Sequence, residues 1–526
     1  MKSKYIGISI LSLGLTLASC DDYLDKQPDS RMEFTSPDDI NNLLVSAYSE
    51  VNPAYLFEMY SDNTDLCQNS GWTEASRFQR QAFEWADITE TGEPESPQEL
   101  WNAYYKAIAA SNASIEHIDK LSAEEQKTYS SQLGEALMCR AYNMFMLSTI
   151  FCNAYDEATA ANELGLPYPT KTETTVGQAY ERGTLKDLYE KIDADLQRAL
   201  PLVTNQYAKP KFHFNQRASY AFATRFYLYY QKYDESIKYG NLLLGENASP
   251  MDLRDWSALY GQVQNRQVAP EFFVNSDHAC NLLLQVVQSE WGAIGGPYSY
   301  GDRYAHGDAI SKNETLEATF PWGNMYAYVW SNRSLSKYIF RKVPYEFEYT
   351  DLQAGIGSPH AEYPIMTTDI ALLERAEANA LAGNYNAALA DLNTELAVFT
   401  RTHYQATLDG LKTFYDGVDY YEPMAPTPKK KLTKLVNGDA TQEALLQAIL
   451  QLKRVVTLHE GFRLQDVKRY GITMYRRTMN SNYNITGVTD TMEPNDPRLA
   501  IQLPQDVITA GLEANPRGLA ATPEEK

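Results

Sequence analysis

Residues 369–396 read DIALLERAEANALAGNYNAALADLNTEL. This stretch predicts a helical hairpin, with helices over residues 369–382 and 386–396 and a turn at Gly383-Asn384-Tyr385. Alanines keep the side chains small where the two helices must approach each other closely. They are Ala378, Ala380, Ala387 and Ala388.

A second hairpin of the same design precedes it in the chain. Residues 215–231 and 233–244 have helical apolar spacing, and the short stretch Lys232-Tyr233-Asp234 joins them. Such a pair resembles a tetratricopeptide repeat. The repeats do not recur at a fixed period, so a regular solenoid is not expected.

Further helices are marked by their N-terminal caps. Each predicted cap is a serine or threonine whose side-chain oxygen can accept from the first turn of the helix, and two of the caps are followed by proline. An acidic residue three positions later suits the positive end of the helix. The caps are Ser36 with Asp39, Ser96 with Glu99, Ser122 with Glu125 and Thr184 with Asp187. The chain is therefore predicted to be mainly α-helical.

Residues 246–366 differ from the helical segments on either side of them. Glycine and proline increase around residues 292–297, helical periodicity fades, and aromatic residues become frequent. We interpret this part as a loop-rich insertion with little β-structure. Residues 423–434 are interpreted as a linker rich in proline and lysine, followed by one more amphipathic helix with Leu445, Ile449, Leu452 and Val456 and by an irregular tail.

The first residues form a lipoprotein signal. Lys2 and Lys4 precede an apolar run that is too short to span a bilayer, and Leu17-Ala18-Ser19-Cys20 satisfies a lipobox. We predict that residues 1–19 are removed and that Cys20 is lipidated. The alternative is an ordinary secretory signal after which Cys20 has no special role.

Composition excludes one class of partner. The formal net charge is −22, and a nucleic-acid phosphate backbone requires clustered positive charge. The remaining cysteines form no Cys-x-x-Cys pair and are interpreted as buried free thiols, although a disulfide stays open. They are Cys67, Cys139, Cys152 and Cys280.

Catalytic and cofactor motifs are absent from the sequence. The seven histidines form no zinc pattern, and there is no phosphate-binding loop, nucleophile elbow or dinucleotide fingerprint. Asp416 and Asp419 could suggest paired carboxylates for glycoside hydrolysis or a calcium loop, but such pairs arise by chance in a chain with 68 acidic residues. No cofactor and no metal site are predicted.

Aromatic residues are the more informative signal. Flat rings with a few polar neighbours suit the C–H face and the hydroxyl rim of a sugar, although peptides can use similar surfaces. The candidate ligand-binding residues are Trp72, Arg77, Trp291, Tyr298, Tyr300, Trp322 and Tyr326. Burial in the core is the alternative for each of them. Trp101 and Trp256 are assigned to packing, and Arg140 and Arg225 to structural ion pairs with acids such as Glu377.

Taken in order, the sequence motifs resemble the SusD/RagB family of nutrient-uptake outer-membrane lipoproteins. The similar motifs include Cys20-Asp21-Asp22-Tyr23-Leu24-Asp25, Leu166-Pro167-Tyr168-Pro169, Arg182-Gly183-Thr184-Leu185, Gly383-Asn384-Tyr385 and Glu460-Gly461-Phe462-Arg463. Tyr470 departs from the tryptophan that is usual in the family. The resemblance implies a SusD-like α-helical fold, no catalysis, and a lid that captures ligand over a TonB-dependent, SusC-like channel.

The resemblance also implies one SusD-like domain over residues 20–526. Its predicted parts are a helical scaffold (20–245), the aromatic insertion (246–366), a tetratricopeptide-like hairpin (367–400) and a C-terminal helix with an irregular tail (401–526). The expected protein is anchored by lipid to the outer membrane and captures a glycan or a peptide. A lipid-anchored glycosidase and a protein-binding adaptor are the competing hypotheses.

Overall fold

A computed structural model describes residues 34–67, 73–74, 76–173, 179–262, 268–289, 291, 303–327, 329–344 and 346–517. The regular secondary structure in the N-terminal half of this part is almost entirely helical, and all four predicted caps are present. Its helices are α1 (Pro37–Leu44), α2 (Ala54–Tyr60), α3 (Arg77–Phe83), α4 (Pro97–Asp119), α5 (Ala123–Thr128), α6 (Ser130–Phe151), α7 (Leu185–Ala199), α8 (Gln216–Tyr229) and α9 (Tyr233–Leu244).

The insertion is more structured than its periodicity indicated. It contains the helices α10 (Trp256–Gln262), α11 (Val268–Phe273) and α12 (Asp308–Asn313) and the strands β2 (Asn281–Gln288), β3 (Tyr304–Ala305), β4 (Val329–Asn332), β5 (Lys337–Phe340), β6 (Glu346–Asp351) and β7 (Ile356–Thr367). Strand β3 pairs with β1 (Asp65–Leu66), which belongs to the N-terminal part. Strands β2, β7 and β6 form an antiparallel sheet with β7 in the middle.

The C-terminal part begins with the second hairpin. Its elements are α13 (Thr368–Leu381), α14 (Tyr385–Phe399), α15 (Leu408–Asp416), α16 (Ala440–Val456), α17 (Arg463–Tyr470), β8 (Met474–Met479), β9 (Ile485–Met492) and α18 (Gln505–Thr509). Between α16 and the proline-containing tail the structure adds α17 and the antiparallel β8–β9 hairpin, which were not predicted.

Helix α13 lies at the centre of the helical packing. It contacts its partner α14 and also α8, α9 and α16, so the two predicted hairpins pack directly against each other. Their close approach requires a glycine: a Cβ on Gly240 of α9 would lie 2.7 Å from Cδ of Arg375 on α13. The mainly α fold with hairpins of the tetratricopeptide type is confirmed. No helix in the described ranges combines the length and the hydropathy that a membrane span requires.

Residues 423–434 are not a free linker. Lys430 is buried, its Nζ lies 2.7 Å from Oε2 of Glu314, and its backbone N–H donates to Gln447 on α16 at 3.2 Å. The proline and lysine content suggested exposure, but these contacts hold the segment against the core.

The two helical arginines form buried ion pairs, but not with Glu377. Arg140 binds both carboxylate oxygens of Asp195, each at 2.6 Å, and Arg225 binds Glu374 at 2.7 Å. Glu377 instead pairs with Lys453 and Arg469. The four predicted thiols are free and buried.

Candidate functional site

The seven predicted ligand-binding residues have different outcomes. Trp72, Tyr298 and Tyr300 lie outside the described residues. Arg77 is the first residue of α3, its side chain is half-exposed, and its Nε lies 3.1 Å from Oε2 of Glu90. Of the described candidates, Arg77 is thus on the surface and open to a ligand.

Two predicted tryptophans are in the core instead. Trp291 is 3% exposed and its ring centroid lies 5.7 Å from that of Tyr55. Trp322 is 1% exposed and stacks on Phe320 with 5.0 Å between ring centroids. Neither indole presents a face to a ligand in this conformation, so the core alternative that the sequence left open describes both.

Tyr326 is half-buried and packs near the end of α14. Its backbone N–H donates to the carbonyl of Phe399 at the end of α14, at 2.8 Å, and its ring packs edge-on against Tyr260. Arg77 instead lies on α3 and pairs with Glu90, so none of these contacts brings Tyr326 next to Arg77.

A short antiparallel ladder joins two segments that are far apart in the sequence. Strand β1 pairs with β3, with Asp65 opposite Ala305 and Leu66 opposite Tyr304. The backbone contacts continue outward, because the N–H of Arg303 donates to the carbonyl of Thr73 at 3.2 Å. Thr73, which follows β1 in the chain, and Arg303, which directly precedes β3, therefore lie side by side.

Charged side chains lie at this contact. Glu74 lies between two arginines, 3.7 Å from Nε of Arg80 and 3.6 Å from Nη1 of Arg303, and both arginine side chains are more than two-fifths exposed. Together with Arg77 these residues form what we call the arginine surface: Glu74, Arg77, Arg80 and Arg303. Arg80 and Arg303 were not predicted, because the search for ligand residues followed aromatic density.

A buried ionic network supports the ladder from below. Asp65 of β1 binds Arg477 of β8 through both carboxylate oxygens, and Nη1 of Arg477 also lies 3.0 Å from Oε1 of Glu314. Glu314 in turn binds Lys430 and Arg454. The position of the arginine surface therefore depends on residues far along the chain.

Burial and charge set the protonation of this network. Burial alone would raise the pKa of Asp62, but Arg454, Arg463 and Lys430 outweigh it and hold that pKa well below its usual value. Burial lowers the pKa of Lys430 to about 8, although Glu314 and Asp62 oppose the shift. The network is thus tightly paired, as buried charges must be.

His306 fixes the end of β3. Its Nδ1–H donates to the carbonyl of Asn63 at 2.9 Å, and its Nε2 accepts from the hydroxyl of Thr315 at 2.7 Å. Burial, with the neighbouring charges of His459 and Arg454, lowers the pKa of His306 to about 3. The imidazole is therefore neutral at physiological pH and acts as a structural tie.

The arrangement is suited to binding. Arginine side chains offer several hydrogen-bond donors in a fixed plane, which polar ligands with many hydroxyl groups can accept. Within the part of the chain that the structure covers, no group of three or more His, Cys, Asp or Glu side chains could hold a metal ion.

The sequence is similar to one family of known proteins. Residues 22–228 match the model of a SusD-like family described as starch-binding and associating with the outer membrane. No curated protein matches the sequence.

Solved structures match over nearly the whole chain. A SusD superfamily protein from Bacteroides thetaiotaomicron is 18% identical with a TM-score of 0.64, and the alignment covers 92% of this chain and all of that one. A putative sugar-binding protein from Bacteroides vulgatus is 19% identical with a TM-score of 0.64, covering 92% and 99% of the two chains. A SusD-like carbohydrate-binding protein from the same species is 15% identical with a TM-score of 0.59, covering 91% and 97%. At these identities the likeness establishes the fold.

Proposed function

We propose that the chain is a member of the SusD/RagB family and that it is a lipid-anchored cell-surface protein, which binds a glycan and delivers it to a TonB-dependent outer-membrane channel. The match of residues 22–228 to a starch-binding, outer-membrane-associated family carries this proposal. Two similar structures belong to proteins named for binding sugar or carbohydrate, which supports glycan binding.

We place the glycan at the arginine surface. Arg80 and Arg303, which both pair with Glu74, and Arg77, which pairs with Glu90, can donate hydrogen bonds to sugar hydroxyls. Trp72 immediately precedes Thr73, and Tyr300 precedes Arg303 by three residues. These aromatic residues, with Tyr298, remain the predicted stacking partners for the sugar rings.

Affinity measurements on matched variants test this placement. Arg303→Ala removes a charged donor, and a hydrogen bond to a charged group contributes about 1.5–3 kcal/mol, so we expect glycan affinity to fall about tenfold or more. Arg198→Ala is the control, because Arg198 is equally exposed and also paired, with Asp119 at 2.5 Å. Equal affinity of both variants in affinity electrophoresis would contradict the placement.

The anchor has a separate test. Residues 21–33 lie between the predicted lipidation site and the first described residue. Because a chain of that length spans at most about 45 Å, a lipidated Cys20 would hold the folded part near the membrane. Cys20→Ser should move the protein from the membrane pellet to the soluble fraction. Continued pelleting of this variant would refute the lipid anchor.

The partner is tested by purification from the native membrane. Pulling down the wild-type protein from detergent-solubilised outer membranes should also recover a large β-barrel channel. Its consistent absence, with the protein itself recovered intact, would count against delivery to a channel and leave glycan binding untouched.

A further inference from the structure

A groove of about 520 Å³ lies on another part of the molecule, between one face of α4, the segment after α6 and the residues around α18. Small-molecule sites commonly have volumes of about 300–1,000 Å³. Its lining includes Trp101, Tyr105, Lys171, Glu173 and Tyr180. We call it the α4 groove.

Two aromatic side chains of α4 line the groove together. Trp101 and Tyr105 are four residues apart, which places them on the same face of the helix, and their ring centroids are 4.6 Å apart. Trp101 packs its edge against Phe151 at 5.4 Å, yet both α4 rings remain partly exposed. Trp101 is thus not only a packing residue, as its position in the sequence indicated, because only part of its surface is buried.

The first wall of the groove is fixed to α4. It consists of residues 167–173. Three hydrogen bonds pin it, from the Tyr105 hydroxyl to the carbonyl of Pro167 (2.9 Å), from Nδ2 of Asn112 to the carbonyl of Pro169 (3.0 Å), and from the N–H of Thr172 to Oε2 of Glu116 (3.1 Å). The first wall is therefore formed before any ligand arrives, which reduces the entropy cost of binding.

The second wall, around α18, is fixed as well. Asn515 is buried and donates from Nδ2 to the carbonyl of Phe151 at 2.9 Å. Arg182 donates to Oδ1 of Asn515 at 2.8 Å and to the carbonyl of Glu513 at 3.0 Å. Both walls thus hold their positions through hydrogen bonds to side chains.

We infer that the α4 groove is a second saccharide-binding site, selective for a neutral oligosaccharide. The aromatic faces suit the C–H face of a pyranose ring. Lys171 and Glu173 contribute one charge of each sign, so the rim favours neither anions nor cations. The ligand class rests on the proposed function, whereas the location rests on the groove itself.

Tyr180 provides the most specific variant. Its hydroxyl donates to Oε1 of Glu173 at 2.7 Å at the rim, and it is not part of the hydrophobic core. Tyr420 is a matched control elsewhere on the surface, because its hydroxyl also donates to a glutamate, Glu443, at 2.6 Å. Tyr180→Ala and Tyr420→Ala therefore remove the same kind of side chain and the same kind of hydrogen bond.

The experiment uses the mature chain labelled with 5-fluorotryptophan and titrated with maltoheptaose, cellohexaose and xylohexaose. The ¹⁹F resonance of Trp101 is assigned with Trp101→Phe, and calorimetry follows total binding. We expect at least one glycan to shift the Trp101 resonance at a glycan concentration below about 10 mM, a range that includes weak binding. Tyr180→Ala should weaken this response at least fivefold, while Tyr420→Ala and Arg303→Ala should leave it unchanged.

Three results would overturn the inference. If calorimetry detects binding but the Trp101 resonance does not move, the groove is empty while the proposed function stands. If Arg303→Ala abolishes the Trp101 response and Tyr180→Ala does not, the response is transmitted from the arginine surface. If neither readout responds to any of the three glycans, both the groove and its ligand class are contradicted.

Discussion

The ion pair beneath the arginine surface gives the sharpest prediction. Asp65→Asn keeps the shape of the side chain but removes the negative charge that faces Arg477. Both side chains are no more than 4% exposed, so the guanidinium would lose its main partner in a site that water does not reach. Removing one partner of a buried pair typically costs about 3–5 kcal/mol.

The lower end of this range applies here. Arg477 would keep Glu314, which lies 3.0 Å away, so we expect a loss of about 3 kcal/mol in the free energy of unfolding. An unfolding entropy of about 2.1 cal/mol/K per residue gives about 1 kcal/mol/K for a chain of about 500 residues, so Tm should fall by about 3 °C.

Calorimetry and urea unfolding measure this loss. Asp119→Asn is the control, because Asp119 forms a half-exposed pair with Arg198, and such surface pairs contribute about 0–1 kcal/mol. A double-mutant cycle of Asp65→Asn with Arg477→Met should show strong coupling. Equal losses for the Asp65 and Asp119 variants, or additive effects in the cycle, would refute the reasoning.

Three other predictions concern stability. The pKa of the buried, neutral His306 is about 3 in the folded protein and about 6.5 in the unfolded chain, so its contribution to the free energy of unfolding should be complete above pH 6.5 and should fall by roughly 2–3 kcal/mol by pH 4.5. In urea unfolding, the free energy of unfolding of His306→Gln should therefore depend less on pH than that of the wild type. An equal pH dependence of the two proteins would refute this. Trp322→Ala should lower the free energy of unfolding by about 3–5 kcal/mol, and an unchanged calorimetric Tm would place Trp322 on the surface instead. Gly461 has a φ of +80° and a Cβ there would lie 2.6 Å from Cα of Ala54, so Gly461→Ala should cost about 2 kcal/mol or more in urea unfolding, whereas a neutral effect would mean that the backbone adapts.

The local signals of the sequence predicted the helical scaffold well. Ser36, Ser96, Ser122 and Thr184 cap the helices that their spacing indicated, because a cap needs only residues within one helical turn. The hairpin at Gly383 follows for the same reason, since it depends on short-range periodicity and a turn residue.

Long-range contacts account for what the sequence did not predict. Glycine and proline near Trp291 suggested exposure, but Tyr55 and His459 cover its ring from distant parts of the chain. The partners of Arg140 and Arg225 could be predicted as acids but not identified, because several carboxylates lie on neighbouring helices. Arg303 was missed since only the β1–β3 ladder brings it to Glu74.

Titration of the mature protein with a glycan panel, followed by chromatography of the same samples, tests the central claim most directly. We predict saturable heat of binding for at least one glycan, and that this glycan is recovered at its original length. Shortened products would identify an enzyme, and the absence of binding across the panel would contradict glycan capture.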